Sequence, residues 1–135
     1  MKVAFATQDL LRIDAHFGWA RNLAIYDLDA DGWSLDRVVE FSGELNEDGN
    51  EDKLAPKLEA LAGVSILVVA AIGGSGAARV VAQNIHPMKV AEPEPIEGML
   101  AKLQEVLKGT PPPWLRKVMA KGEKARSLDF EEEEA

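Results

Sequence analysis

The 135-residue chain contains no cysteine. That removes disulfides, removes thiolate as a metal ligand, and leaves no argument for an oxidising compartment. Histidine is scarce, with two residues, and aromatics make up only 6%. Long apolar runs are missing as well: the longest, Val64 to Ile72, is too short to cross a bilayer. The opening Met1-Lys2-Val3-Ala4-Phe5-Ala6 lacks signal-peptide architecture, because Thr7-Gln8-Asp9 interrupts it at once. A cytoplasmic protein is the expectation.

Basic charge is also in deficit. The net charge is −8, and five of the 23 acidic residues fall within Asp129-Phe130-Glu131-Glu132-Glu133-Glu134. Removing those five leaves −3 on residues 1–128, so much of the acidity belongs to a tail expected to be solvated and disordered. Without a basic stripe to neutralise phosphates, general nucleic-acid binding is excluded. Several catalytic signatures are absent too. Gly73-Gly74-Ser75-Gly76 has neither the G-x-G-x-x-G spacing nor the lysine of a phosphate loop, and it is not a G-x-S-x-G elbow. Glu44-x-Asn46-x-Asp48-Gly49 only faintly resembles a calcium loop, since position twelve would be Ala55 and no helix precedes it.

What is present reads as one α/β domain, long enough for a single core. Lys2 to Ala6 reads as a buried strand and Leu23 to Leu28 as a second. After the turn Asp29-Ala30-Asp31-Gly32, alternation puts Trp33, Leu35, Val39 and Phe41 on one face of a third. Ser42 to Glu51 reads as a loop. Asp52 is positioned to cap a helix carrying Leu54, Leu58, Leu61 and Ala62, with Pro56 in its first turn. Ile66 to Ala70 is a central strand covered on both sides. A helix through Gln83 follows, with Ser75 as its cap, then a short strand Met88 to Val90. Ile96, Met99, Leu100, Leu103, Val106 and Leu107 make an amphipathic helix stopped by Gly109. Residues 1–109 form the domain. Residues 110–135 form an extension with a short basic helix, Trp114 to Lys124, that can dock on the domain or on a partner, and the acidic tail.

In such sheets ligands bind beyond the carboxyl ends of strands, where connections diverge. Two loops should meet there: Thr7 to Arg21, and Gly73 to Gly76. The second opens a helix whose unpaired N–H groups favour an anion. Arg12 and Arg21 add positive charge, and His16 stands at the rim of a small cationic concavity. The bland readings are a locally hydrogen-bonded histidine and a glycine loop that only permits a tight turn. His86, before Pro87 at a strand start, reads as structural.

Three groups of residues carry a family resemblance. Near the start are Val3-Ala4-Phe5-Ala6-Thr7-Gln8-Asp9, Arg12-x-Asp14-x-His16-Phe17-Gly18-Trp19-Ala20 and Ile25-Tyr26. Further on come Asp48 to Leu54, Ala71-Ile72-Gly73-Gly74-Ser75 and Ile85-His86-Pro87-Met88-Lys89-Val90. Pro112-Pro113-Trp114-Leu115-Arg116 and the acidic tail complete the set. Together these resemble the dinitrogenase iron–molybdenum cofactor biosynthesis family from residue 1 to about 130. The resemblance implies a three-layer ribonuclease-H-like fold, with a mixed five-stranded sheet, an antiparallel hairpin and three helices. It implies no enzymatic activity. The implied role is to carry an iron–sulfur precursor of the iron–molybdenum cofactor, or its molybdenum-containing form, from the cluster donor NifB to the scaffold NifEN. It makes His16 the metal ligand and matches Arg12 to the basic residue that opens the same motif; with the loop readings above, the expected cofactor-binding set is Arg12, His16, Phe17, Gly18, Arg21, Gly73, Gly74 and Ser75. The competing role is an interaction chaperone or regulator whose cluster binding is incidental.

Overall fold

A computed structural model describes residues 1–41, 54–109 and 112–117. In chain order the elements are β1 (Lys2–Thr7), β2 (Arg12–Ile13), a 3₁₀ turn (Phe17–Trp19), β3 (Asn22–Asp29), β4 (Gly32–Glu40) and α1 (Ala55–Ala60). They continue with β5 (Ile66–Val69), α2 (Gly74–Ala82), β6 (His86–Lys89), β7 (Glu94–Pro95) and α3 (Ile96–Lys108). Five strands form one mixed sheet in the order β4-β3-β1-β5-β6. In the first three each neighbouring pair is antiparallel, while β5 and β6 continue parallel to β1.

Alternation along β1 sorts its side chains into two cores. Val3 and Phe5 join Ile66, Val68 and the α3 residues Ile96, Leu100 and Leu103. Ala4 and Ala6 join Leu67, Val69, Leu58, Leu61 and Val80 under α1 and α2. The sheet is thus the middle of three layers. Every residue of β5 is buried, as its unbroken apolar run requires.

The structure corrects several expectations. A bulge in the β3–β4 ladder falls between Ile25 and Tyr26, where Asp36 has no opposite number. It breaks the alternation, so Trp33 and Leu35 do not share a face with Val39 and Phe41. Val39 and Phe41 pack on the α1–α2 core, whereas Leu35 pairs with Tyr26 on the α3 side and is 53% exposed. The α1 helix begins at Ala55 with Leu54 at its cap position and no side-chain cap; Asp52, the expected cap, lies outside the described residues. So do the loop from Ser42, the calcium-like segment and the acidic tail. The N-cap of α2 is Gly73, not Ser75. Helical structure exceeds three helices, because the 3₁₀ turn and a short stretch at 113–117 add to α1, α2 and α3.

That last stretch is well seated. Leu115 is fully buried in the α3-side core, and the Trp114 ring stacks on His86 at 4.6 Å, 18° from parallel.

Candidate functional site

The long connection after β1 is built by its own short polar side chains. Asp9 Oδ1 accepts from the N–H groups of Leu11 and Arg12, both at 2.9 Å. Thr7 Oγ1 accepts from the Leu10 N–H. These bonds hold Leu10 at φ 65°, a left-handed conformation that leucine avoids. The Leu11 and Arg12 amides are also the main reason the Asp9 carboxyl is lowered to about 2, with Arg12 adding charge. Arg12 Nε meets Asp9 Oδ2 at 3.1 Å, so its guanidinium is held by Asp9 rather than by the histidine turn.

Gln8 closes the loop on itself. Its Oε1 accepts from the Arg21 N–H at 2.8 Å, and its Nε2 donates to the Trp19 carbonyl at 3.1 Å. Neither Gln8 nor Asp9 belongs to the cofactor-binding set expected from sequence. The signal for Asp9 was there, since aspartate commonly accepts from amides two and three residues on. For Gln8 no local pattern points to the bond, which spans 13 residues.

His16 sits on the tight part of the loop, half-buried, and forms the N-cap of the 3₁₀ turn. Its Nδ1 accepts from the Gly18 N–H at 3.0 Å. Backbone bonds join this turn to the end of β5: Ala70 N–H donates to the Ala15 carbonyl, and Phe17 N–H to the Ala71 carbonyl. The two loops therefore meet, with the glycines of the second beginning two residues after Ala71. Leu54 stands at the same junction, within 4 Å of where a Cβ would lie on Gly18 and on Gly76.

The expected site residues divide. His16, Gly18, Gly73 and Gly74 lie along this junction. The Phe17 ring is fully buried, so it anchors the turn and offers no surface to a ligand. Ser75 lies in the first turn of α2, exposed. Arg21 is exposed beside the loop, with its backbone tied to Gln8 and Phe41. A Cβ at Gly73 or Gly74 would meet nothing within 4 Å, and Gly73 has an ordinary extended conformation. Neither packing nor backbone geometry demands glycine there. The α2 N-terminus has no side-chain cap hydrogen bond, so no cap side chain satisfies its first amides. A groove of about 660 Å³ between α1 and α2, lined by Ala55, Leu58, Ala82 and Gln83, opens at the far end of α2 and is separate.

The fold is thus a three-layer α/β sheet in which the loops after β1 and β5 meet at the carboxyl ends of those strands. The profile of the family described as dinitrogenase iron–molybdenum cofactor matches residues 1–106, and the chain belongs to that family. It is 65% identical to NifX of Herbaspirillum seropedicae over 133 residues, 98% of this chain and 90% of that protein. It is 41% identical to NifX of Azotobacter vinelandii, covering 88% and 75%. The crystal structure of a putative dinitrogenase from Methanocaldococcus jannaschii shares the fold at TM-score 0.58 and 13% identity, covering 79% of this chain and 90% of that one.

Proposed function

We propose that this protein is a non-enzymatic carrier or reservoir for the iron–sulfur precursor of the nitrogenase iron–molybdenum cofactor. Residues 1–109 hold the cargo, and residues 110–135 are an extension. The working setting is the cytoplasm, and the partners are the donor NifB and the scaffold NifEN. The observation that carries the reading is the pairing of an uncapped α2 N-terminus, at glycines the fold does not need, with His16 across the Ala71 junction. Family membership supports it. The strand order, 3-2-1-4-5 when only main-sheet strands are numbered, supports a ribonuclease-H-like classification.

The donor set suits this cargo. Among the described residues no three His, Asp or Glu side chains converge to hold a metal ion. A preassembled cluster brings its own bridging sulfides, so one imidazole on iron and amide donors toward sulfide suffice. Such an anchor is weak enough to release. The test is anaerobic mixing of the chain with extracted precursor, then gel filtration with iron and molybdenum counts. His16→Ala is expected to lose the bound iron with the fold retained; unchanged iron stoichiometry in that variant refutes the ligand role.

A second reading, an assembly chaperone acting by protein contact, is favoured by one observation: Leu10, Leu11 and Trp19 of the same loop region are 42%, 71% and 51% exposed. Leu11→Lys separates the two. Loss of scaffold association with iron retention intact supports a docking role for the loop.

A further inference from the structure

The His16 ring has the opposite polarity to that of an ordinary metal histidine. A neutral imidazole carries one proton, so one ring nitrogen donates and the other accepts. Nδ1 accepts from the Gly18 N–H at 3.0 Å, which places the proton on Nε2. In metal-bound histidines the nitrogen away from the metal usually donates, to a carbonyl or carboxylate, and leaves a lone pair for the metal. In the resting protein the nitrogen of His16 left for a ligand is a donor.

We propose that the Gly18 amide and the iron of the cargo compete for the His16 ring, so that loading the protein opens the cap of the 3₁₀ turn. This rests on the carrier reading above. Ligation through Nε2 releases the proton from that nitrogen, and Nδ1 takes one up from water, with no change of net charge. Nδ1–H then faces the Gly18 N–H, donor against donor, and the bond is lost. The backbone does not follow, because Ala70, Phe17 and Trp19 N–H groups donate at 2.8–2.9 Å to the carbonyls of Ala15, Ala71 and His16, and Phe17 is locked in the core. The exchange is confined to the ring and one amide. Release is its reverse: the Gly18 N–H takes back Nδ1 and the iron is let go.

Three measurements test this on the full chain. In the metal-free protein labelled with ¹⁵N histidine, two-bond ¹H–¹⁵N spectra should show His16 protonated at Nε2; protonation at Nδ1 overturns the proposal. Gly18→Pro deletes the N–H that competes for Nδ1, in a 3₁₀ turn whose φ proline shares. Extracted precursor cluster, bound anaerobically, should then leave about fivefold more slowly, the share of one neutral hydrogen bond. A glycine needed only for structure would make release faster, and equal or faster release overturns the competition. His16→Asn keeps an acceptor in the capping position and deletes Nε2. It should melt like the unsubstituted chain and retain no iron. If the unsubstituted chain itself retains no cluster, the carrier reading falls; if it does and only the Gly18→Pro result fails, the competition falls alone.

Discussion

Asp9 shows how much of the site depends on a single carboxylate. Its two backbone donors and Arg12 favour the charged form, so the folded protein binds this proton less readily than the unfolded chain. Stability from Asp9 is therefore complete above about pH 4 and is lost as pH falls toward 2. Asp9→Asn should flatten the dependence of melting temperature on pH across that window, measured against the unsubstituted chain. Its neighbour makes a second prediction. Leu10 sits at φ 65°, a conformation that costs a leucine roughly 1–2 kcal/mol and asparagine much less. Leu10→Asn should raise unfolding stability by about 1 kcal/mol in urea titration. At this scale the sequence revealed the place of His16 but not its role as a cap, because the direction of a ring nitrogen depends on where the Gly18 amide points.

At the scale of elements, legibility followed burial. The strands β1, β3 and β5 were readable because each presents apolar residues to a covered face. The pair β2–β7, with two residues in each strand, carries no periodicity and went unread. The hairpin was found, but its faces were misassigned beyond Asp36, since one extra residue shifts a period-two pattern without leaving a compositional mark. The misassignment is measurable. Leu35→Thr should change stability by no more than about 0.5 kcal/mol. Leu23→Ala, at a fully buried β3 position, should cost about 2–5 kcal/mol. Lys57 of α1 was likewise unforeseen. It is buried to 1% exposure with its Nζ 4.6 Å from the Phe41 ring centroid, and burial lowers its pKa. The folded chain gives up this proton more readily than the unfolded one, so stability should rise as pH climbs toward 10.5. Lys57→Met should abolish that rise.

For the whole molecule, the order of helices and strands was legible because each connection returns the chain to the sheet. For 112–117 the sequence left docking on the domain and docking on a partner open, because a single leucine after a proline run gives no pattern that decides between them. Truncation after Lys117 keeps Leu115 and Trp114 in place and serves as the reference. Truncation after Gly109 removes Leu115 from the core and the Trp114 ring from His86, and should cost about 2–5 kcal/mol. Comparing the two melting curves checks this.

The loop that bears His16 springs from β1, the middle strand of five, buried throughout from Val3 to Thr7. Strands flanked on both sides are among the last to exchange their amides, whereas rims fray at little cost. The His16 ring can thus move while its pedestal stays fixed, and a cargo carried as proposed above leaves by that local rearrangement, long before the host itself comes apart.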